Sequence, residues 1–251
     1  MSGPSLAGAG EGRATSGLKY ARALPGYVPG SAIPTDTNLL ALPSGLPAPD
    51  DDGAARHLLG ARVPHVELPS TNGGTVDVGA AAEQLSVFYL YPATIAPPAV
   101  IPGEWSAIPG ARGCTLENLG FRDAHADLVA HGCRVFGVSG QGQVDPEVGL
   151  REQVELRHRL GLPFELLNDS RFALVRALRL PTFVAALRVP EVEYEGRRIA
   201  FPLQGRTLVK RLTFVADRGR IEKVFYPVFP PDRSAEAVRD YLADRTPPRL
   251  P

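Results

Sequence analysis

The residues with the strongest claim to chemistry lie in Pro109-Gly110-Ala111-Arg112-Gly113-Cys114-Thr115-Leu116-Glu117-Asn118. A Pro-Gly turn and a further glycine place Cys114 where a loop passes into a helix. The N-terminus of a helix presents unpaired N–H donors and about half a positive charge, and both favour a thiolate. Arg112 lies two residues away and adds a cation. A thiolate that solvent reaches attacks peroxides and is oxidised to sulfenic acid. Judged on spacing alone, a free cysteine is more often a small buried apolar residue, so the reading needs support from the rest of the chain.

Other chemistries fare worse. Cys133 is the second of only two cysteines, which excludes a disulfide-rich scaffold and a zinc site built from cysteine alone. The absence of a CxxC excludes a thioredoxin-type dithiol oxidoreductase. His57, His65, His125, His131 and His158 form no HExxH or paired-ligand spacing, so no metal is expected. Gly137-Val138-Ser139-Gly140-Gln141-Gly142 is out of frame for a serine-nucleophile motif. No GxGxxG or P-loop occurs. Lys+Arg and Asp+Glu are 27 each, which argues against a broadly basic nucleic-acid or membrane-surface protein. No stretch approaches the ~20 apolar residues of a membrane helix, and the first residues lack a secretory pattern. A reducing, cytoplasmic compartment is the default expectation.

The elements that must position Cys114 follow from the hydrophobic pattern. Residues 1–43 show no sustained period and read as an extended or disordered arm, with Leu39-Leu40 hinting that its end docks. Residues 44–251 read as one domain. Val63–Leu68 and Thr75–Val78 flank the hairpin signal Asn72-Gly73-Gly74. Ser86–Tyr91 and Cys133–Ser139 are apolar runs that suit strands buried on both faces. Helices are expected from Cys114 to His131, over Pro146–Leu160, over Ser170–Leu178 and over Ser234–Asp244. Phe164–Leu167, Thr182–Leu187, Val192–Glu195, Arg198–Leu203, Thr207–Ala216 and Arg220–Phe229 read as extended, the last two around the turn Asp217-Arg218-Gly219. Residues 93–113 form a long loop holding Trp105, the only tryptophan. Strands alternating with helices, then a terminal hairpin and helix, indicate an α/β layered domain with a mixed β-sheet.

With these elements in place, Gly113-Cys114-Thr115-Leu116-Glu117-Asn118-Leu119-Gly120-Phe121-Arg122-Asp123 resembles the active-site helix of the peroxiredoxins. It is most similar to the bacterioferritin-comigratory, or Q-type, pattern GCTxExCxFRD. SVFYLYP resembles the strand and proline that precede that site. HGCRVFGVS resembles GxxVxGVS, LGLPFELLND resembles YGLPFPLLSD, and KRLTFVADRGRIEKVF resembles RxTFLIDxxGxIxxVF. These pieces run in the family's order over about residues 60–230. The resemblance implies a thioredoxin-like fold, with insertions at about 93–113 and 184–206. It places Cys114 on the peroxidatic cysteine and Arg211 on an arginine that lies near the thiolate. It implies no metal or organic cofactor.

Three departures shape the expected function. The family's PxxxTxxC has Ala107 and Ala111 at its Pro and Thr positions. Pro92 still follows the strand, and Thr94 and Ser106 are the hydroxyls available to fold back, Thr94 being the candidate catalytic one. Leu119 stands where the Q-type resolving cysteine would be, and Cys133 follows a helix about 25 Å long, too far for a disulfide within one subunit. The 184–206 extension has a hairpin's composition and reads as a flap or a dimer contact. The expected function is a one-cysteine thiol peroxidase for hydrogen peroxide or organic hydroperoxides, re-reduced by an external thiol: a thioredoxin-like protein or a low-molecular-weight thiol. The alternative is a catalytically weakened redox sensor or protein-binding module on the same fold.

Overall fold

Apolar runs and capping residues place the elements close to where the sequence predicts them. The structure is a computed structural model, and it describes residues 37–95, 99–188 and 191–245. Most of the expected arm, residues 1–36, lies outside the described residues. Before the thiol come β1 (Glu67–Pro69), β2 (Thr75–Asp77), α1 (Val78–Ala82), β3 (Ser86–Leu90) and α2 (Gly103–Ser106). Next come α3 (Cys114–Ala130), β4 (Arg134–Ser139), α4 (Pro146–Leu160), β5 (Glu165–Asn168) and α5 (Ala173–Ala177). The remainder is β6 (Thr182–Val184), β7 (Glu191–Tyr194), β8 (Arg197–Ala200), β9 (Thr207–Val209), β10 (Leu212–Asp217), β11 (Arg220–Phe225) and α6 (Ser234–Asp244).

Five strands form the central sheet in the order β11-β10-β3-β4-β5. The β3–β4 and β4–β5 pairs are parallel, and β10 is antiparallel to both β3 and β11. This is the mixed sheet expected from crossover helices followed by a terminal hairpin. All five residues of β3 are buried, because both faces of the sheet are covered. Alternate residues feed two cores. Phe88 stacks between Phe136 and Phe214 on one face, with centroids 5.1 and 5.0 Å away. Tyr89 points the other way and stacks on Phe121 of α3 at 4.1 Å. That second core joins α3, α4 and α6 to the sheet. Helix α4 shows why its ends were legible: Asp145 accepts from the N–H groups of Glu147 and Val148, Pro146 opens the helix, and Gly161 closes it at φ +62°.

Three expectations change. Val63–Leu68 is mostly not a strand; β1 begins only at Glu67, where β2 becomes its partner. The 93–113 loop contains the short helix α2. Thr207–Ala216 breaks at Lys210-Arg211, because β9 pairs with β6 whereas β10 belongs to the central sheet. Lys210 N–H bonds to Pro181 O at the crossover, so no ladder continues through Arg211.

The two expected insertions meet each other. Ala99, Ile101, Trp105 and Ala111 from the first pack with Ala185, Leu187 and Phe201 from the second into a third core, joined by Leu208. Within the second segment β7 and β8 form a hairpin, as its composition suggests. Leu39, near the end of the expected arm, packs against this core, while Leu40 is exposed.

Candidate active site

Cys114 is the first residue of α3, as the Pro-Gly and Gly signals require. Gly113 caps the helix at φ +101°, a left-handed conformation that suits glycine. A Cβ there would lie 2.3 Å from Pro231 Cγ, so the position also excludes side chains by space. The next turn is fixed from behind: Tyr89 OH donates to Asn118 Oδ1 at 2.8 Å, and Asn118 Nδ2 donates to Cys114 O at 2.8 Å. The Cys114 thiol is 6% exposed and borders a small cavity, so the sulfur is sheltered but not sealed.

Arg211 brings its cation to the sulfur. It stands where the chain leaves β9 for β10, and this break lets the side chain turn into the interior, where it is buried. Nη2 donates to Cys114 Sγ at 3.1 Å and to Arg112 O at 3.3 Å. Nη1 pairs with Glu117 Oε2. The alternative of an edge-strand surface pair does not hold, since the pair is buried and β10 is interior to the sheet. Burial acts against the guanidinium charge, but the adjoining Cys114 and Glu117 outweigh it and raise the Arg211 pKa further.

Glu117 is more than a carboxylate in the first turn of a helix. Its side chain is fully buried, and Oε1 has no hydrogen-bond partner among the described residues. Burial pushes its pKa up to about 7, against the pull of Arg211 and the Ser234 hydroxyl. The GCTxE spacing put Glu117 one helical turn beyond Cys114, but spacing alone could not show that Arg211, 94 positions later, would lie between them.

The remaining candidates divide. Thr94 borders the thiol cavity, and both its N–H and its Oγ1 donate to Gln141 Oε1, at 3.0 and 3.1 Å. Gln141 is held in turn by Glu152. Ser106 is buried but does not border the cavity. Thr115, a hydroxyl not singled out from the sequence, does border it, as do Arg112 and Trp105. Cys133 is buried at the far end of α3, and desolvation pushes its thiol up to about 12. Among the described residues no cluster of three His, Cys, Asp or Glu side chains is placed to hold a metal ion, and no helix is long and apolar enough to cross a membrane.

The sheet order and the helix that starts at the thiol define a thioredoxin-like fold. Peroxidoxin BcpB from Mycobacterium tuberculosis superimposes with a TM-score of 0.51 at 22% identity, over 75% of this chain and 98% of that one. A cysteine-to-serine mutant of PrxQ from Xylella fastidiosa gives 0.52 at 19% identity, over 74% and 95%. No family model and no curated protein matches the sequence. At these identities the likeness establishes the fold.

Proposed function

We propose that this chain is a peroxiredoxin-family thiol peroxidase of the one-cysteine type. The observation that carries the reading is the 3.1 Å contact between Arg211 Nη2 and Cys114 Sγ at the start of α3. The guanidinium and the helix N-terminus both stabilise negative charge, first on the thiolate and then on the peroxide oxygens as the O–O bond lengthens. The thiolate attacks the distal oxygen. An S–O bond forms, the O–O bond breaks, and two electrons pass from sulfur to the peroxide. Cys114 becomes sulfenic acid, and the departing oxygen takes a proton from solvent to leave as water or an alcohol. Thr94 donates its hydroxyl hydrogen to Gln141, so its lone pairs remain to accept a hydrogen bond from the peroxide. One external thiol condenses with the sulfenic acid, releasing water, and a second displaces the mixed disulfide to restore Cys114. That reductant is a thioredoxin-like protein or a low-molecular-weight thiol.

Stopped-flow oxidation by hydrogen peroxide, followed by thiol trapping and mass spectrometry, tests this reading. Rapid sulfenic acid formation at Cys114, abolished in Cys114→Ser and kept in Cys133→Ser, is the expected result. The commitment of the Thr94 hydroxyl to Gln141 favours a second reading, a slow redox sensor. A rate no better than that of free cysteine would select it.

A further inference from the structure

The cavity beside Cys114 is small, about 20 Å³. Roughly 10–15 Å³ is needed to hold one water, so the space beside the sulfur takes one water-sized group and little more. Part of its wall comes from the residue 99–111 segment, which packs on the third core and acts as a lid beside the thiol. Ile101 and Trp105, only 2% and 3% exposed, belong to the third core, where the Trp105 ring lies 5.3 Å from Phe201 and 6.2 Å from Phe183. Leu39 reaches in from before the domain, and Arg112, beside it, donates to Asn38 O. Withdrawing either Ile101 or Trp105 would expose apolar surface that the two insertions exist to bury. Thr94, Thr115 and Arg112 also border the space and offer polar groups to a small hydroxyl-bearing molecule, beside the apolar Ala93, Ile95 and Ala111.

We propose that the lid restricts the enzyme to the smallest peroxide. Hydrogen peroxide places both oxygens beside Cys114, whereas a hydroperoxide with a branched or aromatic carbon on its proximal oxygen meets Ile101 and Trp105. This inference rests on the peroxidase reading of Cys114, and it makes these two apolar residues the determinants of substrate size.

The test is sulfenic acid formation at Cys114 in the full chain, quenched at set times into denaturant containing dimedone and quantified by mass spectrometry. Hydrogen peroxide and cumene hydroperoxide are compared, each rate divided by that of free cysteine with the same peroxide. The expected preference for hydrogen peroxide is at least roughly 10- to 200-fold, the discrimination that a single methylene of misfit produces in an apolar pocket. Trp105→Ala and Ile101→Ala should each shrink this ratio at least about fivefold, with the cumene hydroperoxide rate rising relative to the hydrogen peroxide rate. Circular dichroism checks folding; if Trp105→Ala does not fold, the smaller Ile101→Ala truncation carries the comparison. A wild-type ratio near one, or a ratio that both folded variants leave unchanged, overturns the size restriction while leaving the peroxidase intact. Failure of both peroxides to outpace free cysteine overturns the peroxidase reading itself, and this inference with it.

Discussion

Arg211 Nη2 stands 3.1 Å from Cys114 Sγ, and the other terminal nitrogen of the same guanidinium holds Glu117. A single side chain therefore spans the thiol at the start of α3 and a buried carboxylate. Arg211→Lys keeps a cation but cannot reproduce the fork. We expect it to slow sulfenic acid formation by roughly 100- to 1000-fold, the usual loss when one charge-stabilising donor is removed. Single-turnover stopped flow with hydrogen peroxide measures this. A loss under threefold would remove Arg211 from the chemistry.

The Glu117 carboxyl titrates near pH 7 in the folded chain, against 4.5 for an unburied one, because burial disfavours its charge. A carboxyl whose folded pKa is raised contributes stability that is present below about pH 4.5 and lost as the pH rises through about 7. Glu117→Gln carries no such charge. Relative to wild type it should therefore gain stability between pH 5 and pH 8, on the order of 3 kcal/mol. Urea denaturation at the two pH values reads the difference. The same variant should remove an inflection near pH 7 from the rate of Cys114 oxidation.

Gly113→Ala tests the helix start. It imposes a left-handed φ on alanine and drives Cβ into Pro231 Cγ. The combined strain and overpacking should cost about 2–5 kcal/mol, measured by urea denaturation. The Cys114 oxidation rate should fall as well, since the N-terminus that faces the sulfur is displaced.

Cys133 should behave as an inert core thiol. Burial pushes it up to about 12, so almost no thiolate exists at neutral pH. Native protein treated with hydrogen peroxide at pH 7.5 and then denatured should still be alkylated by iodoacetamide at Cys133, whereas Cys114 is oxidised. Peroxide treatment of the isolated chain should yield no intramolecular disulfide on non-reducing mass analysis.

Thr94→Val removes the hydroxyl that borders the cavity and leaves the volume nearly unchanged. If its lone pairs receive the peroxide, hydrogen peroxide oxidation of Cys114 should slow about tenfold, near the net worth of one hydrogen bond. An unchanged rate would limit Thr94 to holding Gln141.

Local signals carried much of this molecule. Asp145, Pro146 and Gly161 bound α4 through caps that need no partner, so both of its ends were readable. Gly113 before Cys114 announced a helix start by its backbone freedom, and the buried β3 by its unbroken apolar run. The Thr207–Ala216 run misled because two strand-like halves look continuous until each finds a different partner. Glu117 was undervalued for a related reason. Its residue type suits the first turn of any helix, and only the burial around it turns it into a partner of Arg211.

The sequence alone therefore determined the candidate thiol, the helix that presents it and the alternation of strands and helices, since each depends on residues a few positions apart. Tertiary structure decided which cation meets the sulfur, the direction in which the Glu117 pKa moves and the size of the space beside the thiol. Those depend on groups such as Arg211 and Trp105, which are held beside Cys114 by the β9–β10 crossover and by the third core that packs Trp105 against Phe201. Desolvation and packing are properties of that closure, and no short stretch of chain encodes them.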